Sequence, residues 1–225
     1  MMADFAPVEL AMFPLESAPL PDEDLPLHIF EPRYAALVRD CMDTADPRFG
    51  VVLISRGREV GGGDTRCDVG TLARITECAD AGSGRYMLRC RVGERIRVCD
   101  WLPDDPYPRA KVRFWPDQPG HPVTAAQLLE VEDRVVALFE RIAAARGVRL
   151  PAREVVLGYP VVDPADTGQR LYALACRVPM GPADRYAVLA RRRRPIDWSA
   201  WVTRWTRWPR WWSSSCRRNC PTRCV

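Results

Sequence analysis

Residues and motifs on which enzyme catalysis often depends are rare or missing in this chain of 225 residues. It has one lysine, Lys111, which falls in a predicted strand and is interpreted as solvent-facing rather than catalytic. His28 stands between apolar residues and is expected to be packed or hydrogen-bonded, whereas His121 lies in a predicted loop without a ligand partner nearby. The chain contains neither a G-x-x-x-x-G-K-[ST] phosphate loop nor a G-x-S-x-G nucleophile elbow. We therefore predict a protein that is not an enzyme and uses no cofactor.

Long apolar runs and paired cysteine motifs are also lacking. No run approaches the roughly 18 residues that a membrane-spanning helix needs, so no span is predicted. Asp4 and Glu9, with no basic residue ahead of an apolar stretch, argue against an ordinary secretory signal. The nine cysteines form no C-x-x-C pair, and Cys216, Cys220 and Cys224 lack a fourth ligand. We interpret the cysteines as reduced thiols and expect a cytoplasmic protein without a metal site.

Charge is distributed unevenly along the chain. Residues 1–190 carry 23 basic and 28 acidic side chains, whereas residues 191–225 carry ten arginines and one aspartate. Six of the eight tryptophans also lie in this last segment. The larger part of the chain therefore offers no electrostatic reason to bind nucleic acid, and the basic segment is interpreted separately.

The first half of the chain has the pattern of a β-rich protein. Short alternating or continuous apolar runs predict strands at 8–15, 25–30, 49–54, 69–78, 85–92, 95–101 and 110–115. Gly93 and Glu94 are expected to form a hairpin turn between two of these strands. Several short strands at this spacing predict a small closed sheet, which we assign to a barrel-like subdomain at residues 1–118.

The second half has helical spacing. It predicts helices at about 124–147, at about 164–176 and from about 183, in addition to an earlier helix that Pro32 opens. These later helices form a predicted helical subdomain at residues 122–190. Strands that precede helices in this way indicate an α+β fold.

Two stretches of the chain are specific enough to indicate a family. They are MFPLESAPLPDEDLPLHIFEPRYAALVRD, from Met12 to Asp40, and FGVVLISRGREVGGGDTRCDVGTLARI, from Phe49 to Ile75. With VGERIRV and WLPDDPYPRAKV, they resemble the amino-terminal, substrate-binding domain of Lon proteases over about residues 8–190. The resemblance implies a small PUA-like pseudo-β-barrel followed by a helical bundle. Because the chain has no room for the ATPase and Ser–Lys peptidase modules of full-length Lon proteases, it also implies recognition rather than proteolysis.

One segment departs from that family. Residues 16–24 (ESAPLPDED) are polar and rich in proline, where family members usually carry an apolar strand with a Phe-Pro-Gly step. We therefore expect the second strand to be short or irregular, and a peptide groove beside it to be altered.

The HIFEPRY segment supplies the candidate site residues, which are His28, Phe30, Glu31, Pro32, Arg33 and Tyr34. Ile29 and Phe30 are expected in the core, Pro32 starts a helix, and Glu31 meets the positive end of the helix dipole. Arg33 is expected to pair with Glu31 or with Asp40. We interpret the segment as structural because it sets a strand-to-helix corner, with direct contact to a bound peptide as the alternative. The pattern does not indicate which residues line a peptide groove.

Residues 191–225 form an aberrant segment rich in arginine, tryptophan and cysteine. Five of the tryptophans, from Trp198 to Trp211, are spaced 3, 4, 3 and 3, which is typical of an amphipathic helix. A shifted reading frame explains this composition better, because the single tryptophan codon would then encode leucine or valine in a GC-rich gene. Our hypothesis is that the frame slips near Ala190–Arg194, so that this tail is frameshifted or disordered; resequencing the gene tests it.

The sequence thus predicts a non-catalytic module that binds unfolded or degron-bearing polypeptides through an apolar surface and an exposed strand edge. The resemblance also suggests a separate ATP-dependent protease as a partner. Two alternatives stay open: a hydrolase with a dispersed catalytic site, and a protein whose basic tail contacts membranes or nucleic acid.

Overall fold

The computed structural model describes residues 6–57, 59, 63–117, 123–158 and 167–191. His121 and residues 192–225 lie outside this part, so the predictions made for them stay predictions. The chain has an α+β fold, as predicted. Its elements are β1 (Val8–Leu15), β2 (Asp24–Ile29), α1 (Pro32–Met42), β3 (Arg48–Arg56), β4 (Thr65–Gly82), β5 (Arg85–Leu102), β6 (Arg109–Phe114), α2 (Ala125–Arg146), α3 (Arg153–Leu157), α4 (Thr167–Arg177) and α5 (Pro182–Leu189).

The strands close into a small barrel because β5 is long enough to pair with two successive strands along one edge while it pairs with β4 along the other. The strand order is β2-β5-β4-β3-β1-β6, with β1 and β3 parallel, and an additional pairing joins β5 to β6. The first half of β5 pairs with β2, and its second half pairs with β6. Strands β5, β4, β3, β1 and β6 therefore form a ring, and β2 extends the sheet beyond it.

The hairpin predicted at Gly93 and Glu94 is wrong. The chain runs through these residues as part of β5, and the register with β4 shifts between the pairs Ala73–Val92 and Thr71–Arg95. A bulge with a glycine bends a strand without ending it, and such a bend helps to close a barrel. The turn between β4 and β5 instead lies at residues 83–84, after a longer first strand.

Among the described residues, two parts of the core share the sheet. Inside the barrel lie Met12, Val52, Leu72, Ile96, Val98, Ala110 and Val112. The apolar face of α1 packs on the other part through Tyr34, Leu37, Val38 and Cys41, which contact residues such as Phe13 and Phe49. Gly70 allows β3 and β4 to approach closely, since a Cβ there would lie 2.0 Å from the carbonyl oxygen of Val51.

The helices divide into two groups. By their contacts, α4 and α5 belong to the same compact unit as the barrel, whereas α2 and α3 belong to a second unit. The sequence instead predicts one helical subdomain at 122–190. The predicted ends of α2 agree with the structure: Thr124 forms a capping box with Gln127, and Gly147 ends the helix with a positive φ of 65°.

Two buried arginines attach α5 to the barrel. Arg95, on β5, donates to the carbonyl oxygens of Leu189 and Arg191 at the end of α5. Arg185, on α5, donates to the carbonyl oxygen of Ala18 at 2.9 Å and pairs with Glu23. The polar segment after β1 is therefore a packed loop between two strands, with Ala18 buried and bonded to Arg185 of α5.

No helix among the described residues combines the length and the apolar character required to cross a membrane.

Candidate functional site

The HIFEPRY segment forms the corner between β2 and α1, as predicted. Pro32 is the first residue of α1, and the carbonyl oxygen of Glu31 accepts the first backbone bonds of the helix from Tyr34 and Ala35. Arg33 pairs with Glu31, its Nε lying 3.1 Å from Oε2. Asp40, the other predicted partner of Arg33, instead accepts a hydrogen bond of 2.6 Å from the hydroxyl of Tyr107. The ion pair thus stays within the corner.

Arg33 connects this corner to the segment before β4. Its terminal nitrogen donates to the carbonyl oxygen of Glu59 at 3.1 Å, and its guanidinium carbon lies 4.4 Å from the centroid of the Tyr34 ring. Burial raises the pKa of Tyr34 to about 12, so this phenol stays protonated at neutral pH. Arg33 and Tyr34 are therefore both partnered within the fold.

A second arginine cluster, centred on Arg66 of β4, flanks the corner. Arg66 pairs with Asp64 at 2.7 Å and with Asp104 at 2.6 Å, and it lies over the ring of Trp101 at 4.8 Å. Burial acts to raise the pKa of Asp64, but hydrogen bonds from Arg66 and the backbone outweigh it and hold that pKa below its ordinary value. The cluster has a partner for each charge and serves to join β4 to the loop before β6.

Phe30 does not lie in the core, so that prediction is wrong. Its side chain is 58% exposed, and His28 is exposed as well rather than packed. The reason is the period of two along a strand: Leu27 and Ile29 face the core, so the residues between and after them face the opposite way. The corner motif therefore contributes side chains to both the interior and the outside of the sheet.

An apolar patch forms where these outward residues meet β5 and β4. His28 lies directly opposite Met87, which lies directly opposite Ala79, and Phe30 follows at the end of β2. The side chain of Met87 is 51% exposed. We call His28, Phe30, Ala79 and Met87 the outer patch. The sequence carried one signal for it, since Met87 alternates with buried residues and shares a strand face with arginines.

The rows of side chains beside the outer patch are charged. In the next row, Arg89 lies opposite both Pro26 and Glu77, and the Arg89–Glu77 pair spans 3.6 Å with both side chains largely exposed. One row further, Arg91 pairs with Asp24 at 2.9 Å. The outer patch is therefore a small apolar area that a solvated, charge-paired surface borders.

Three of the cysteine thiols in the described part of the chain are buried. Burial raises the pKa of Cys90 to about 12, that of Cys176 to about 12 and that of Cys41 to about 11, so these thiols are poor nucleophiles at neutral pH. Within the described ranges, no three His, Cys, Asp or Glu side chains come together as metal ligands.

Comparison with known proteins gives the same fold and a family. The family model of the ATP-dependent protease La (LON) substrate-binding domain matches residues 9–193. The chain is similar to the crystal structure of a Lon N-terminal domain protein from Xanthomonas campestris, with a TM-score of 0.60, 24% identity, and coverage of 87% of this chain and 98% of that one.

A curated relative is the LON peptidase N-terminal domain and RING finger protein C14F5.10c of Schizosaccharomyces pombe. It is 28% identical over 105 residues, which are 41% of this chain and 21% of that protein. The chain therefore spans about a fifth of that relative's length.

Proposed function

This chain belongs to the family of ATP-dependent protease La (LON) substrate-binding domains, and we propose that it binds unfolded or degron-bearing polypeptides as a recognition module. The observation that carries the proposal is the outer patch, where two large apolar side chains are about half exposed on a charged sheet face. Unfolded chains differ from folded ones chiefly in presenting apolar side chains, so an exposed apolar surface can distinguish the two.

The outer patch is large enough to contribute useful binding free energy. Fully burying a Phe or Met side chain is worth about 1.5–3 kcal/mol, and Phe30 and Met87 are each only half-buried in the free protein. Two such contacts support weak, reversible binding with little sequence preference. That is the behaviour a recognition module requires if it is to sample many polypeptides.

We propose further that the chain acts by binding and leaves chemistry to another protein. The polar clusters of the described part are held in ion pairs within the fold, and its buried thiols have raised pKa values. A separate ATP-dependent protease is the expected partner, and a cytoplasmic location follows from that partnership.

Fluorescence anisotropy tests this function directly. The full chain is titrated into a labelled disulfide-containing protein kept unfolded by reduction and alkylation of its cysteines and, in parallel, into the native, disulfide-bonded form of the same protein. The proposal predicts saturable binding of the unfolded form and a much weaker signal with the folded form. Equal affinity for both, or no binding by a chain whose circular dichroism shows it to be folded, would contradict it.

A further inference from the structure

The sheet extends beyond the barrel as three strands, β2, β5 and β4, and this extension has two edges that differ. The edge at β2 is interrupted by a proline. Val92 of β5 donates to the carbonyl oxygen of Glu23 and accepts from the amide of Asp22, so its backbone groups point toward β2. The direction of the backbone hydrogen-bonding groups alternates along a strand. The backbone groups of Leu88, which lies opposite Leu27, therefore also point toward β2.

Leu25 and Leu27 therefore direct their backbone groups toward β5. Pro26, which lies between them, directs its backbone groups away from β5. Proline has no amide hydrogen, so this outward position offers no donor to another strand. A proline on an outward-facing position is a common way in which proteins protect a sheet edge. The β2 edge is therefore less suited than an edge without proline to accept another strand.

The edge at β4 is open. The pairing of β4 with β3 ends near Ile75, whose amide donates to the carbonyl oxygen of Pro47. Past this point, the backbone N–H and C=O groups of Arg89 and Met87 point toward β4, where these residues lie opposite Glu77 and Ala79. The backbone groups of Cys78 and Asp80, which lie in the alternate positions, therefore point away from β5, and no strand among the described residues pairs with them there. We call residues 76–80 the β4 edge.

The β4 edge also adjoins the outer patch. Ala79 lies directly opposite Met87, and Met87 directly opposite His28, so the three side chains form one row across the extension. A strand added to the β4 edge would place its own side chain next to Ala79 in this row. The side chains of Cys78 and Ala79 are small, so they leave space for side chains of different sizes on an added strand.

We propose that the β4 edge takes up an extended polypeptide segment as an additional strand, with an apolar side chain of that segment seated beside Ala79 and Met87. This rests on the proposed function and specifies its substrate class: extended segments with apolar residues at alternate positions. Backbone bonds to Cys78 and Asp80 supply affinity that does not depend on sequence, and the outer patch supplies the apolar preference.

A second copy of this chain fits the same edge less well. Pairing two β4 edges about a two-fold axis would bring the Asp80 carboxylates of both copies into one short interface, and like charges across strands are unfavourable. A substrate segment carries no such restriction, and flanking basic residues would complement this carboxylate.

Selective N-methylation of a probe peptide tests strand addition without altering the protein. The probe is an eight-residue peptide in which valine alternates with threonine, with lysines at its ends. One version is N-methylated on the valines and another on the threonines, which removes the amide donors from one edge or from the other. Strand addition predicts that one version binds like the parent peptide and the other binds at least about tenfold more weakly.

Amide hydrogen exchange supplies the second readout. The amides of Cys78 and Asp80 should exchange rapidly in the free full-length chain and become protected in the presence of the parent peptide. A Cys78→Pro variant should lose peptide binding, whereas its Cys78→Ala control should retain it, provided that thermal unfolding shows both to be folded. If Cys78→Pro fails to fold, exchange and methylation still decide the question.

The outcomes separate this proposal from the proposed function. If both methylated peptides bind equally, or the parent peptide does not bind while an unfolded protein does, strand addition is wrong and the recognition function stands. If neither the peptide nor an unfolded protein binds, both are wrong. Protection of Cys78 and Asp80 that rises with protein concentration, without peptide, would assign the edge to a second copy and overturn the proposal.

Discussion

The corner and the outer patch use neighbouring residues of one motif for different purposes. In the corner, Arg33 and Tyr34 are largely buried, and each has a partner within the fold. In the outer patch, His28 and Phe30 come from the same segment but face outward. The difference teaches that a family motif need not be wholly structural or wholly functional, because strand alternation assigns adjacent residues to opposite surfaces.

The largest effect should come from breaking the corner at its aromatic residue. Tyr34 is 4% exposed and its ring centroid lies 4.2 Å from that of Phe13, so Tyr34→Ala should lower the free energy of unfolding by about 3–5 kcal/mol. The matched change in the outer patch, Phe30→Ala, should cost less than about 0.5 kcal/mol. Guanidinium denaturation measures both, and similar losses would show that the two regions do not differ as described.

A smaller difference in stability is expected between variants of two arginines, one in the corner and one beside the outer patch. Arg33→Met removes an ion pair and the bond to the carbonyl oxygen of Glu59, and should cost about 1–3 kcal/mol. Arg89→Met removes only the exposed pair with Glu77, and should cost less than about 1 kcal/mol. The same denaturation experiment compares them. A larger loss of unfolding free energy for Arg89→Met than for Arg33→Met would show that the outer face contributes more to stability than the corner, and would contradict the account.

The smallest effect should be the pH dependence of the stability that the Asp64 carboxylate contributes. The pKa of Asp64 is held below its ordinary value in the folded chain, so its charged form stabilises the fold above that value and this contribution is lost as the pH falls through the folded pKa. The difference in unfolding free energy between the wild type and Asp64→Asn should therefore shrink between about pH 5 and about pH 2. A difference that stays constant over this interval would show that the carboxylate does not act through its charge.

Much of the fold could be predicted from the sequence because local signals agree with the final structure. Pro32, Thr124 and Gly147 begin or end helices where expected, and the strand at 8–15 is found with the same bounds. The hairpin at Gly93 could not be told from a bulge, because both place a glycine between two alternating runs. The distinction depends on the pairing of both runs with β4 and of the second run with β6, which the composition of the segment itself does not indicate.

The candidate site was predicted less well for a related reason. Phe30 is apolar and follows a buried residue, so composition alone placed it in the core, whereas its position one residue after Ile29 places it outside. Met87 carried a visible signal in its alternation with buried residues, but its proximity to His28 depends on the register between β2 and β5. The β4 edge depends wholly on where pairing with β3 ends, which no local pattern reports.

The measurement that tests the central claim most directly compares three variants of the full chain for binding to a labelled unfolded protein. Phe30→Gln and Met87→Gln alter the outer patch, and Leu129→Gln is the control, since Leu129 is 55% exposed on α2. All three should unfold at nearly the same temperature as the wild type. The account predicts binding about tenfold weaker for each patch variant and unchanged for Leu129→Gln. Unchanged binding in both patch variants, or an equal loss in the control, would contradict it.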